Sequence, residues 1–397
     1  MTAAATAPRP EPTEPRDGAP REGVMLPDAI LPDAMPREGV PREGMPRGQR
    51  GRDDRPRSPK RDLDGWVLLD KPTGLTSTQA VSIVKRLFGA KKAGHAGTLD
   101  PLASGCLPIA FGEATKTVPY VMDGRKSYRF TVRFGIETDT DDAEGKPVTT
   151  DERRPDDLDI RAMLEAFKGE ILQVPPAYSA LKIGGERAYD LAREGEEVVL
   201  EARPVTIHSI ALVDRPDADH AVIEAECGKG TYVRAIARDL GRMLGCRGHV
   251  SALRRTRVGA FLEEDLVPLD ELKARAEDGE AALAEALDPV EIALEELARL
   301  NVTPPDAHRL RCGQSVILRG RDAPVMHGHA GVFGQGALIA LGDVEGGAVF
   351  PHRVFNWARQ GGKGGGNGGG KGAGRGPGKG GNRGEHRGEA GGGQHGE

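Results

Sequence analysis

Core-forming residues are confined to the stretch from about 62 to 358, and both ends of the chain nearly lack them. Residues 1–61 are Pro-rich and charged, with imperfect pentads at 20–24, 36–40 and 41–45. Such a segment buries too little apolar surface to offset the entropy of ordering it, so a disordered tail is expected. Residues 359–397 form a Gly-rich tail dotted with Lys363, Lys371, Arg375, Lys379, Arg383 and Arg387. A flexible polar chain is expected there too. What remains, roughly 300 residues, suffices for one large domain and one small one.

The remaining stretch mixes two periods. Gly65 to Asp70 reads as a strand, stopped by Lys71-Pro72. Thr76-Ser77-Thr78 can cap a helix running to Phe88, with Ala80, Val81, Val84, Leu87 and Phe88 at helical spacing and Gly89 as the stop. Cys106 to Phe111 is an apolar strand, and Ala114 to Val121 a short helix. Lys126 to Phe134 alternates cleanly: Tyr128, Phe130, Val132 and Phe134 share one face, Arg129, Thr131 and Arg133 the other, as in a half-buried strand. Leu158–Phe167 and Ala188–Arg193 read as helices, Val205–Val213 and Ala221–Cys227 as a strand pair. A Gly-rich turn, Gly228–Thr231, leads into a helix from Tyr232 to Leu244, and His249–Phe261 is a further strand. Helices follow around Leu269–Arg275 and Gly279–Leu287. After about 297, short apolar runs separated by Gly-rich turns predict a small β domain.

Charge and cysteine usage exclude several classes. A net charge of −5 argues against wholesale coating of nucleic acid, so an RNA site must be a local basic patch. Lys91, Lys92, Arg125, Lys126, Arg254, Arg255 and Arg257 are candidates for such a phosphate-contacting rim if the fold brings them together. Cys106, Cys227, Cys246 and Cys312 form no CxxC pair, so neither a zinc ribbon nor a redox motif is supported. The acidic loop Thr138–Gly145 superficially suggests calcium. Ala143 and Glu144, however, occupy places where an EF-hand loop needs an oxygen ligand and its glycine, so no metal site is expected there. No apolar run approaches the ~18 residues of a membrane span, and no secretory signal opens the chain. A cytoplasmic protein is expected.

The densest chemistry lies in Gly94-His95-Ala96-Gly97-Thr98-Leu99-Asp100-Pro101-Leu102-Ala103-Ser104-Gly105. Gly94 and Gly97 allow positive φ or close approach. Asp100-Pro101 suits a turn or helix start, so Asp100 read alone could be only a cap. The glycines, His95 and the adjacent Lys91-Lys92 favour a site instead.

This loop resembles that of the bacterial tRNA pseudouridine-55 synthases of the TruB type. So do Gly65-Trp66-Val67-Leu68-Leu69-Asp70-Lys71-Pro72, Lys126-Ser127-Tyr128-Arg129 and Thr138-Asp139-Thr140-Asp141. Pro175-Pro176-Ala177-Tyr178-Ser179-Ala180-Leu181-Lys182, Gly228-Lys229-Gly230-Thr231-Tyr232-Val233-Arg234 and Ser251-Ala252-Leu253-Arg254-Arg255 continue the resemblance in the family's order.

The resemblance implies an α+β fold. Its parts are a catalytic domain over 62–296 with a mixed, largely antiparallel sheet and flanking helices, a T-loop-binding insertion at 156–205, and a PUA-like RNA-binding β-barrel at 297–358. It implies isomerisation of uridine 55 in the tRNA T-loop to pseudouridine, with Asp100 as catalytic nucleophile. Breaking an N-glycosidic bond and rejoining the base through carbon oxidises nothing, and a carboxylate nucleophile suffices. No metal and no organic cofactor is expected. The target base must be flipped out, and the resemblance assigns its stacking to Tyr128. It assigns His95 to RNA positioning, Tyr232 to nucleotide contact, Arg234 to pairing with Asp100, Leu253 to an apolar pocket position, and Lys71 to support of the pocket or of a phosphate. The expected partner is tRNA, with no membrane and no obligate protein partner, the enzyme being a monomer. The alternatives are a non-catalytic RNA-binding tRNA-folding factor and a synthase with another RNA target.

Overall fold

The computed structural model describes residues 60–179, 182–183, 186–187, 200–318 and 326–357. The expected tails, apart from residues 60–61, and the expected helix at 188–193 lie outside the described residues. In chain order the first elements are β1 (Gly65–Lys71), α1 (Ser77–Leu87), β2 (Ala93–His95), β3 (Ser104–Phe111), α2 (Val118–Asp123), β4 (Lys126–Phe134), β5 (Ile136–Thr138), β6 (Pro147–Thr150), α3 (Asp157–Leu164) and β7 (Gly169–Gln173). The next are β8 (Lys182–Ile183), β9 (Glu186–Arg187), β10 (Arg203–Asp214), β11 (His220–Cys227), α4 (Val233–Met243), β12 (Gly248–Val258), β13 (Phe261–Leu262), β14 (Val267–Pro268), α5 (Leu269–Asp278) and α6 (Glu280–Ala284). The C-terminal part holds β15 (Ala298–Asn301), α7 (Pro304–Arg311), β16 (Val316–Ile317), β17 (Gly328–Gly334), β18 (Ala337–Glu345) and β19 (Ala348–Val354).

The expected α+β class holds. A ten-stranded sheet has the order β14-β1-β3-β12-β4-β11-β10-β7, with β2 on β3 and β13 on β12. Only the β1–β14 and β3–β12 pairings are parallel, so the sheet is mixed and largely antiparallel. A second sheet of five strands, β15-β17-β18-β19-β16, forms the curled C-terminal unit that fits a PUA-like domain.

Local chemistry explains the boundaries. Thr76 caps α1 through a reciprocal capping box with Gln79, and Gly89 leaves the helix at φ 60°. The expected helix from Ala114 to Val121 is instead a 3-10 turn (Gly112–Lys116) followed by α2, because Pro119 restarts the chain at a first-turn position. The run Gly65–Asp70 does not alternate because β1 is covered on both faces. Val67 and Leu69 enter the main core with α1, β4 and α4, while Trp66 and Leu68 pack with Phe261, Phe333, Leu338 and Phe355. That second cluster joins the large sheet to the C-terminal one.

Sequence periodicity overlooks α7. Its eight residues carry little apolar pattern, but Thr303 accepts from the Asp306 N–H and Pro304 starts the helix. No helix among the described residues is long and apolar enough to cross a membrane.

Candidate active site

The loop between β2 and β3 is held from two sides. Ser77 Oγ accepts from the Leu99 N–H at 2.8 Å and donates to the Leu99 carbonyl at 2.9 Å. Arg255, on β12 and 2% exposed, donates to the carbonyls of Cys106 (2.8 Å), Gly97 (3.1 Å) and Thr98 (3.2 Å). Gly105 lies at φ 95° with the Arg255 carbonyl 2.3 Å from where a Cβ would stand, so this close approach requires glycine.

Asp100 projects from this loop, and its carboxylate does not serve as a bare cap. Its Oδ2 lies 3.0 Å from Nε of Arg234 at the start of α4. The Asp100 side chain is 36% exposed and the Arg234 side chain 7%, so the carboxylate remains reachable while its partner is buried. Arg234 also donates to the carbonyls of Thr140 (3.0 Å) and Tyr178 (2.9 Å) and lies 3.5 Å from Asp142. A guanidinium held on so many sides is a fixed fork rather than a mobile charge.

The pair opens onto a cavity of about 450 Å³ whose wall includes Asp100, Lys126, Tyr128, Lys229, Tyr232, Arg234, Leu253 and Arg255. Burial raises the phenols of Tyr128 and Tyr232 above the ordinary tyrosine value, so both stay neutral at pH 7. Backbone pairing sets their places. Tyr128 and Leu253 come from the adjacent strands β4 and β12. Tyr232 precedes α4, its N–H donating to Gln173 Oε1 (2.8 Å) and its carbonyl accepting from Gln173 Nε2 (3.2 Å).

Two expected residues lie outside the cavity wall. Lys71 is fully buried, its ammonium donating to the carbonyls of Pro72 (2.9 Å) and Leu75 (2.8 Å), and it does not line the cavity. Burial pushes its pKa down to about 8, with the Asp100 carboxylate acting in the opposite sense. His95 lies on β2, opposite Ile109 of β3, and is not part of the cavity wall. Its Nδ1 is buried without a hydrogen-bond partner among the described residues, and burial together with Arg255 holds the imidazole below its ordinary pKa.

The residues of the expected phosphate rim divide: Lys91, Lys92 and Arg125 are exposed, while Lys126 and Arg255 are buried. Arg255 is inside. Lys126 is buried, donating to the carbonyls of Met122 and Gly124, and its pKa falls to about 8. Arg254 forks onto Asp70 (2.9 and 3.0 Å) and also meets Glu263, Arg125 pairs with Glu226, and Lys91 with Asp62. Arg257 donates to the Gly259 carbonyl. Each of these cations except Lys92 meets an acceptor of the protein itself.

Sequence reasoning missed Gln173 and the acidic loop. Arg234, Arg238 and Arg242, four residues apart on α4, meet Asp142 (3.5 Å), Asp141 (3.0 Å) and Glu137 (2.6 Å) respectively. Two of the carboxylates that superficially suggested calcium, Asp141 and Asp142, therefore face arginines. The readable signal was the three-arginine repeat opposite the apolar face of the same helix.

The family model for the TruB family pseudouridylate synthase (N terminal domain) matches residues 85–233, and that for the tRNA pseudouridylate synthase B C-terminal domain matches 234–295. The chain is 62% identical over 309 residues to the tRNA pseudouridine synthase B of Rhodopseudomonas palustris, covering 77% of this chain and 84% of that protein. It is 55% identical over 306 residues to the one of Agrobacterium fabrum, covering 75% and 97%. Among solved structures, a chain of a Cbf5-Nop10-Gar1 complex superposes with a TM-score of 0.58 at 28% identity, covering 73% of this chain and 84% of that one.

Proposed function

The chain belongs to the TruB family of pseudouridylate synthases, and from that premise we propose that it converts uridine 55 of the tRNA T-loop to pseudouridine, with Asp100 as the nucleophile. That the enzyme is an isomerase pseudouridylating tRNA follows from its relatives, which carry that activity in their names and cover most of the chain. The residue roles rest on one observation: a solvent-reachable carboxylate aimed by a buried guanidinium at the mouth of a cavity with two neutral tyrosines and a leucine in its wall.

In this reading the flipped uracil stacks on Tyr128, which contributes on the order of 1–3 kcal/mol and offsets part of the unstacking cost. Leu253 excludes water from the opposite side, and Tyr232 contacts the nucleotide. Arg234 aims the Asp100 carboxylate at the reacting nucleotide and does not take up a proton itself. As the glycosidic C–N bond breaks and a C–C bond forms at uracil C5, the C5 proton is released and N1 gains one, so the reaction balances without oxidant or reductant. Arg255 acts through the loop it holds, and Lys71 through the turn it ties at Pro72 and Leu75. His95 serves as an RNA-positioning residue and the segment 156–205 as the T-loop grip. The enzyme acts as a monomer in the cytoplasm.

The test is tritium release from tRNA labelled at uracil C5, with a second tRNA carrying cytidine at position 55. Release from the first and none from that position of the second supports the reading. Binding of both tRNAs without release overturns it in favour of an RNA-folding factor, and equal release from both assigns another target uridine.

A further inference from the structure

The C-terminal sheet gathers two histidines and a carboxylate that the proposed reaction does not use. His329 on β17 stands directly opposite Asp343 on β18. On the next strand the pairing runs Leu341 with Arg353 and then Gly342 with Pro351. His352 is thus the extra residue of a β-bulge, a device that re-aims a side chain out of the regular pleat. The result is convergent: His329 Nδ1 lies 2.6 Å from Asp343 Oδ1, and His352 Nδ1 lies 3.5 Å from Asp343 Oδ2. One ligand atom from each of the three residues lies within 4.8 Å of the others.

We propose that His329, Asp343 and His352 bind a divalent transition-metal ion of the zinc class. Imidazole nitrogens with one carboxylate suit zinc, nickel and cobalt rather than the all-oxygen cations. Zinc bonds of about 2.0–2.2 Å put tetrahedral ligands roughly 3.3–3.5 Å apart, a spacing this cluster reaches by small side-chain rotations. An outer partner is in place. Tyr120 Oη shares a hydrogen bond with His352 Nε2 at 2.7 Å, which leaves Nδ1 as the ring nitrogen facing the carboxylate. The Tyr120 ring stacks on His352 and meets His329 edge-on. Tyr120, His329 and His352 line a cavity of about 460 Å³, which supplies an entry path and room for water at the open coordination positions. Tyr120 sits on α2, whose Met122 and Asp123 reach the wall of the Asp100 cavity, so a bound ion pins the C-terminal sheet to a helix shared with that cavity.

The test is calorimetric titration of the untagged, chelator-treated full chain with zinc chloride, with cobalt chloride absorption as a second readout. The expected result is one ion per chain in the micromolar range or tighter, a cobalt spectrum without thiolate charge transfer, and a zinc-dependent rise in thermal midpoint. His329→Gln with His352→Gln should weaken binding and abolish that rise, and Tyr120→Phe should weaken it by about tenfold. Tritium release without added metal should be unchanged in both variants, which separates this site from the catalytic reading. Three results overturn the proposal: no binding by the wild type, binding that survives the double histidine variant, or binding removed by Cys312→Ser, whose sulfur lies 4.0 Å from His308.

Discussion

Two groups of arginines that look alike in the sequence behave oppositely in the fold. Arg234, Arg238 and Arg242 recur every fourth residue of α4, so the helical period sets all three on one face, where each meets a carboxylate. Arg254, Arg255 and Arg257 lie on β12, where neighbours alternate between faces. Arg255 turns inward with Leu253 and holds the Gly94–Gly105 loop, Arg254 turns outward to Asp70, and a register shift between Arg255 and Arg257 sends the last to a local carbonyl. Charge in a sequence becomes a patch only when the period of its element keeps it on one side.

The largest expected effect lies on the helix. Arg238→Met leaves Asp141 and Asp239 buried without their guanidinium, and breaking a buried pair in this way costs about 3–5 kcal/mol. Denaturant unfolding checks it. A loss below about 1 kcal/mol would erase the distinction between the two groups.

The buried lysine behind the site gives the next effect, through pH. Its folded pKa of about 8 lies below the ordinary 10.5, so the unfolded chain binds the extra proton across that window. The stability cost of burying the charged amine is full below pH 8 and is relieved as pH rises toward 10.5. Relative to Lys71→Met, the wild type should gain about 2 kcal/mol between pH 7 and pH 9.5, measured as the difference of two unfolding free energies. A constant difference would place the lysine outside the buried wall.

The smallest effect belongs to the strand. Arg254→Met removes a partly exposed fork and should cost about 1 kcal/mol. The slope of tRNA affinity against salt should stay within experimental error, because Arg254 is spent on Asp70 and Glu263. A slope reduced by about one contact would restore it to a phosphate rim.

The strands and the long helices were legible because their periods are local: Tyr128 through Phe134 alternates, and Val233 through Leu240 repeats at helical spacing. The catalytic loop was legible through its wording, and the expected Asp100–Arg234 pairing is present at 3.0 Å. What stayed hidden was set by register and burial across distant segments. Nothing local to Gly-Lys-Gly-Thr-Tyr shows that Gln173 grips Tyr232 from 59 residues away. Nothing in Arg254-Arg255 says which of the two faces inward. The His329–Asp343–His352 cluster is likewise invisible to ligand-spacing rules, because three strands and a bulge assemble it.

The central claim is that Asp100 carries the bond chemistry while Arg234 aims it. The most direct measurement is single-turnover tritium release by Asp100→Asn, alongside its tRNA affinity. The account predicts a fall of at least about 10³-fold in release with affinity within about threefold of the wild type. Release retained at wild-type rate would contradict it and move the nucleophile elsewhere in the cavity.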